Sequence, residues 1–278
     1  MLTEDYPAAN WRLIINSAGK GDWNMAVDEA ILESVANKGQ PPTLRLYAWD
    51  PYCLSLGHAQ RVIDVNGGAL AKLGWDLVRR PTGGKAILHA DEITYSITAP
   101  QDEPRVSGTV IESYQRLSRA LLLALNQLGI TADAKPKDPS YLQKSADPIC
   151  FDSPSDFEIT SHGKKIIGSA QARRLQGVLQ HGSIPLFGDI TRIVQVLNYP
   201  SSFKFEKGKQ YLLQRACTLF DIHPCKISWS TAANAIIDGF SKTLNVTFIR
   251  SSISTTELDR AQELVKTKYG NDDWTYRI

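Results

Sequence analysis

The chain has 278 residues, 42% apolar and 22% charged, a mixture that buries a substantial core and excludes a disordered or fibrous protein. Its 31 basic and 29 acidic residues leave a net charge of +2, so there is no global field to gather nucleic acid, and charge acts only locally.

In chain order, Trp11–Ile15 reads as a first strand. Asn24 offers an N-cap to a helix in which Val27, Ile31 and Val35 recur at four-residue spacing. Gly39, Pro41 and Pro42 stop it. Short strands follow at Thr43–Ala48, Cys53–Gly57, Trp75–Val78, Ala86–His89 and Thr94–Ile97, each bounded by Gly, Pro or Asp. Val110, Tyr114, Leu117, Leu121, Leu125 and Leu128 form the stripe of a long helix over Val110–Leu128. Residues Asp133–Pro148 are polar and carry three prolines, the composition of a surface loop leading into Cys150. Strands are predicted at Asp156–Thr160, Lys165–Arg173 and Val178–Pro185. Helices follow at Asp189–Leu197, Lys209–Phe220, Ser228–Leu244 and Thr256–Tyr269, with one strand at Val246–Arg250. Hairpin-like strand succession with helices in blocks indicates an α+β fold, its sheet mixed or largely antiparallel and covered by helices on one side.

The four cysteines, Cys53, Cys150, Cys217 and Cys225, form no C-x-x-C pair. In a chain of this length they do not read as a disulfide framework, and a reducing, cytoplasmic setting is expected. The N-terminus lacks the apolar core of a signal peptide, and no run approaches the roughly 20 apolar residues of a membrane span. His58, His162 and His223 have no metal-ligand spacing, so no metal is expected.

Three segments carry candidate chemistry. The first, R-R-P-T-G-G-K-A-I-L-H from Arg79 to His89, places two arginines before a paired-glycine turn. Such a turn lets backbone N–H groups approach an anionic or carbonyl-rich ligand, and it is equally the turn of an ordinary hairpin. The second, P-I-C-F-D-S-P-S-D-F-E, puts Cys150 between a polar loop and a strand. An accessible thiol near cations is a better thiolate; a lone cysteine is more often a small packed residue. The third, G-K-K-I-I-G-S-A-Q, followed by Q-H-G-S-I-P, puts Lys165 at the head of an apolar strand. Gly168, Ser169 and Ala170 leave room beside it for a slender group. An ammonium there can stabilise an oxyanion and depress a thiol pKa. His89 and His181 lie at the ends of these segments, and each suits a hydrogen-bonded structural histidine as well as a pocket wall.

In this order the segments resemble the signatures of the lipoate–protein ligase A, octanoyltransferase and biotin ligase superfamily. N-M-A-V-D-E-A near residue 24, P-T-L-R-L-Y-x-W near residue 42 and K-Y-G-N-D-D-W near the end fit it too. The resemblance runs from about residue 11 to 275. It is nearest to the cysteine-dependent octanoyltransferases that load the glycine cleavage H protein, which carry a C-F-x-x-P-S element as this chain does at Cys150.

The resemblance implies a single catalytic domain of the biotin/lipoate ligase type over residues 1–278, with a core at about 11–250, a helical extension over 251–278 and no separate accessory domain. It implies Cys150 as nucleophile and Lys165 as its polarising partner. It implies an acyl or nucleotide pocket lined by Arg79, Gly83, Gly84, Lys85, Ala86 and Ile87, with His181 near it. It further implies transfer of an octanoyl or lipoyl group from acyl carrier protein to a lysine of a lipoyl domain or H protein, with no cofactor required and no nucleic-acid or membrane partner. Arg79, Arg80, Lys85, Lys164, Arg173 and Arg174, with Lys135, Lys137 and Lys144, would then form a docking patch for acidic partners. Three rivals stay open: an ATP-dependent ligase working through lipoyl-AMP, a transferase that keeps the cysteine but moves the acyl group between two lipoyl domains, and a non-catalytic lipoate or biotin sensor. Against the ligase pattern, Lys85 stands where ligases usually show a third glycine, and the sequence stops four residues after Trp274.

Overall fold

The structure, a computed structural model, describes residues 6–136, 157–199 and 202–278. Cys150, Lys137 and Lys144 lie outside the described residues.

The strands are β1 (Ala9–Ile15), β2 (Thr43–Tyr47), β3 (Cys53–Leu56), β4 (Asp76–Arg79), β5 (Ile87–His89), β6 (Glu92–Pro100), β7 (Asp133–Pro136), β8 (Phe157–Ser161), β9 (Lys164–Arg174), β10 (Gly177–Pro185) and β11 (Val246–Arg250). The helices are α1 (Gly21–Ala36), α2 (Gly67–Leu73), α3 (Val110–Gln127), α4 (Ser202–Arg215), α5 (Trp229–Leu244), α6 (Thr255–Leu264) and α7 (Asp272–Thr275). Eight strands form the main sheet in the order β11-β1-β2-β6-β10-β9-β8-β7, and β4-β3-β5 form a small second sheet. In the main sheet β1 runs parallel to β11 and to β2, and every other neighbour pair is antiparallel. The expected mixed, largely antiparallel α+β architecture is therefore observed.

Successive residues of a strand face opposite sides of a sheet. On one side Leu44, Leu46, Ile93, Tyr95, Ile97, Val178 and Ile184 join Leu117, Leu121 and Leu125 of α3 and Ala232, Ile236 and Phe240 of α5 in one apolar cluster. On the other side lies α1, flanked by α6, with Val27, Ile31 and Val35 buried as the periodicity predicts. Helices thus cover both faces, where one was expected. The reason is chemical. The strand residues under α1 are largely polar, and the alternation reads them as facing water, but they are buried and hydrogen-bonded chiefly to Asp28 on α1 and to Glu92.

The register stacks them in rows. Arg45, Ser96, His181 and Ala170 sit opposite one another across β2, β6, β10 and β9. Tyr47, Thr94, Ser183 and Gly168 form the next row. The small sheet lies beyond this face, packed on a 3-10 segment, Ile190–Val196, and on α4. That 3-10 segment stands where a regular helix was expected. α1 begins three residues before Asn24, whose buried side chain donates to the Gly19 and Ala48 carbonyls instead of capping. α6 runs into a π-helical turn over Val265–Tyr269.

Candidate active site

Two cavities open between the polar face of the main sheet, the small sheet and the 3-10 segment. One has about 660 Å³ of empty space, with Phe187, Ile190, Ile193, Asp189, Arg192 and Thr218 around Lys165. The other has about 310 Å³, walled by Met25, Tyr47, Trp49, Ser55, His89 and His181. They share Ile87, Gly168 and Ser183.

Lys165 stands where the first cavity meets Gly168. It is 5% exposed, and its Nζ donates to Glu158 Oε1 on β8 at 3.1 Å. Its carbonyl accepts the Cys217 N–H, which pins the strand to the segment after α4. A buried ammonium that donates to Glu158 at a cavity wall can attract a carbonyl or oxyanion.

Behind the second cavity run two hydrogen-bonded chains. In one, Arg80 donates to the Ser55 hydroxyl at 3.2 Å, so the Ser55 proton is directed to His89 Nε2 at 2.8 Å. That assignment leaves the His89 Nδ1–H to Glu92 Oε1, at 2.8 Å. Glu92 also accepts from Ser183 and Thr94, and the His89 ring stacks on Trp49 with centroids 3.9 Å apart.

In the other chain, Thr82 meets His181 Nε2 at 2.7 Å, and Nδ1 lies 3.4 Å from Asp28 Oδ2. Asp28 also takes bonds from Arg45, Tyr47 and Ser96. Burial pushes the Asp28 carboxyl up, but the Arg45 guanidinium and the other donors hold it below the usual carboxylate range. Burial lowers the His181 pKa, with Asp28 opposing, so the imidazole is neutral at pH 7. Every polar group behind the second cavity has a partner here, and the cavity's exposed walls are nearly all apolar.

The described cysteines line neither cavity. Burial pushes the Cys53 thiol well up and the Cys217 thiol up to about 11, so both are poor nucleophiles at neutral pH. Cys225 is exposed.

Residues 20–241 match the Lipoyl protein ligase A/B catalytic domain. The chain belongs to this family. Octanoyltransferase LipM of Carboxydothermus hydrogenoformans is 39% identical over 96% of this chain and 99% of its own length. Octanoyltransferase LipM of Bacillus subtilis is 34% identical over 96% and 98%. Among solved structures, the bi-partite lipoate protein ligase of Thermoplasma acidophilum superposes with a TM-score of 0.81 at 26% identity, covering 96% of each chain. A lipoate-protein ligase A bound with ATP gives 0.78 at 26% identity.

Of the residues expected in a lipoyl ligase-type pocket, Ile87, Lys165 and Gly168 line the larger cavity. Ile87, His89, Gly168, Ala170 and His181 line the smaller. Ala86 is buried in the core under the small sheet. Ser169 points the other way, to the Tyr95 hydroxyl at 2.7 Å, as strand alternation requires. Gly83 and Gly84 form the turn against Gly57, and the Gly83 and Lys85 carbonyls accept from Arg80.

Arg79 does not line either cavity. It is fully buried and donates to the carbonyls of Gly57, Gln60 and Thr275, tying the C-terminal segment to the small sheet. Arg79 and Arg80 thus drop out of the expected docking patch: both are buried, Arg79 hydrogen-bonded to backbone carbonyls and Arg80 to the Ser55, Gly83 and Lys85 carbonyls and the Ser55 hydroxyl. Half-buried Arg174 pairs with Glu29, and half-buried Arg173 donates to the Val106 carbonyl. Sequence reasoning gave no role to Ser55, Glu92, Trp49 and Asp28; Asp28 and Trp49 lie inside N-M-A-V-D-E-A and P-T-L-R-L-Y-x-W, which served only as family signatures. Ser183 was findable, because it lies two residues after His181 on one strand and so shares its face.

Among the described residues no group of three or more His, Cys, Asp or Glu side chains could hold a metal, and no helix is long and apolar enough to cross a membrane.

Proposed function

We propose that this enzyme transfers an octanoyl group from an acyl carrier protein thioester to a lysine of a lipoyl domain, the glycine cleavage H protein in particular, through a thioester on Cys150. One observation carries the reading: a buried ammonium, Lys165, sits at the meeting point of a mixed and an apolar cavity in a chain that matches octanoyltransferases over nearly its full length.

Cys150 precedes β8 by seven residues, and β8 carries Glu158, the partner of Lys165. The Cys150 thiolate attacks the donor carbonyl. A new S–C bond forms, the carrier's S–C bond breaks, and the carrier thiolate takes a proton. Lys165 faces the oxyanion during that step. A lipoyl-domain lysine then attacks as the free amine, the amide forms, and the amine proton leaves with the Cys150 thiol. Thioester exchange is close to isoenergetic and aminolysis is downhill, so the cycle needs no ATP and no cofactor. Two steps replace one encounter of two proteins, which makes the kinetics ping-pong.

The test is intact-protein mass spectrometry after incubation with octanoyl-acyl carrier protein and no ATP. The reading expects a gain of one octanoyl group that hydroxylamine removes and Cys150→Ala abolishes. A competent donor that leaves the mass unchanged overturns it.

A second reading, ATP-dependent ligation, is favoured by the likeness to lipoate–protein ligases. ATP-dependent incorporation of free octanoate that survives Cys150→Ser selects it.

A further inference from the structure

The two cavities differ in character. The smaller, beside Trp49, shows almost only apolar surface, because Ser55, His89, Thr94, His181 and Ser183 spend their polar atoms on one another and on Glu92, Asp28 and Thr82. The larger, beside Phe187, mixes apolar walls with Asp189, Arg192, Thr218 and Lys165. They meet at Ile87, Gly168 and Ser183, which line both. A Cβ built at Gly168 would lie 3.6 Å from Lys165 Cε and 3.9 Å from Ile87 Cδ1. An alanine would therefore fit, while a longer side chain would stand in the connection.

From this we infer that the site divides a thioester donor between two chambers. The alkyl chain passes Gly168 into the Trp49 chamber. The amide-bearing arm of the departing thiol occupies the Phe187 chamber, and the thioester carbonyl lies at the junction beside Lys165. The inference takes its ligand from the acyl-transfer reading above and goes beyond it in assigning the thiol arm a site of its own.

The physical argument is a partition of surfaces. A saturated chain gains by leaving water only against walls that lose no hydrogen bond, and the Trp49 chamber is such a wall. An arm built of amides keeps its N–H and C=O groups satisfied only where polar surface is open to it, and the Phe187 chamber, with exposed Asp189 and half-buried Arg192 on its wall, presents more of it than the Trp49 chamber. Reversed, the amides would face a wall with almost no polar surface, and the chain would cover Asp189 and Arg192. Gly168 is then a specificity-determining position, the passage that admits the chain and separates it from the arm.

The test uses S-alkyl pantetheine thioethers, which cannot transfer an acyl group, with chains from methyl to dodecyl. Dissociation constants are measured calorimetrically on the wild type, Gly168→Ala, Gly168→Val and Ile190→Trp, each checked for fold by circular dichroism. Wild type gains roughly fourfold in affinity per methylene until the chamber is filled. Gly168→Val flattens that series beyond the first few carbons and leaves the methyl thioether within about twofold of wild type. Gly168→Ala, which the contacts accommodate, gives a shallower series. Ile190→Trp weakens every member, methyl included, by tenfold or more with the slope unchanged.

The inference is overturned if Ile190→Trp flattens the chain-length series while Gly168→Val leaves it intact, or if neither variant changes it. Failure of the transferase reading looks different: no octanoyl adduct on Cys150 from any donor, with the thioether series still behaving as stated.

Discussion

Gly57 and Gly84 meet backbone to backbone, so closely that a Cβ on Gly57 would lie 1.7 Å from the Gly84 carbonyl oxygen. The His58 N–H donates to the Thr82 carbonyl beside this contact, and Arg80 holds the Gly83 and Lys85 carbonyls from within. Gly57 is therefore what lets the turn at Gly83 and Gly84 lie against the small sheet, and Ile87, on the wall of both cavities, follows directly from that turn. In Gly57→Ala backbone must move, since no flexible side chain is there to give way. We expect a loss of about 1–3 kcal/mol in urea unfolding and a slower formation of the octanoyl adduct. Unchanged values for both would show that the turn is not held by this contact.

Arg79 is expected to act on stability and not on the acyl group. Its guanidinium forks between the Thr275 carbonyl and the carbonyls of Gly57 and Gln60, while Trp274 Nε1 donates back to the Arg79 carbonyl. A lysine cannot reproduce the fork. Arg79→Lys should speed hydrogen exchange over residues 272–278 and lower the melting temperature, with KM for the donor little changed. A large rise in KM at wild-type exchange rates would return Arg79 to the pocket.

What could be read in the sequence divides along a physical line. α1 and α3 bury regular apolar stripes, so Val27, Ile31, Val35 and the series from Tyr114 to Leu125 placed them within a few residues. α2 buries only Leu70 and shows no stripe, and it was missed. The second helical layer was missed because Arg45, Thr94, Ser96, His181 and Ser183 alternate as solvent-facing residues do. They are buried because Asp28 and Glu92 satisfy them, and for all but Thr94 that partner lies on another element. Lys165, Gly168 and Ile87 came together as the motifs suggested. The chains behind them depend on pairings between β2, β6 and β10, which no local pattern encodes.

The Asp28–His181 pair predicts the acid side of the stability curve. His181 is held neutral by burial, its pKa below the ordinary 6.5, so the unfolded chain binds more protons in that range. Its contribution is complete above 6.5 and is lost as pH falls toward the folded value. Asp28 is held below 3.8, and its contribution is lost only in stronger acid, as pH falls through that lowered value. Unfolding free energy measured in urea should therefore fall on acidification in two stages, the first beginning near pH 6.5. His181→Gln should remove the first stage and leave the second. Asp28→Asn should cost about 3–5 kcal/mol at neutral pH, because Arg45 is left charged and buried. A wild-type profile flat from pH 7 to pH 5 would contradict this account of His181.

Lys165 and Glu158 give the sharpest catalytic expectation. The ammonium is buried at the cavity junction and donates to the Glu158 carboxylate across the β8–β9 hairpin. If it faces the developing oxyanion, Lys165→Met should slow octanoyl loading by about 10²- to 10³-fold, the usual effect of removing one such donor. Lys165→Arg keeps the charge but not the compact head, and should recover only part of that loss. Glu158→Gln keeps a hydrogen-bond acceptor but removes the countercharge, so it should disturb the position of Lys165 more than its presence. We expect a smaller fall in the loading rate, with affinity for a non-reactive thioether donor nearly unchanged. Single-turnover mass spectrometry separates the two effects. Loading that survives Lys165→Met at the wild-type rate would remove Lys165 from the chemistry and leave it a structural pin for β8.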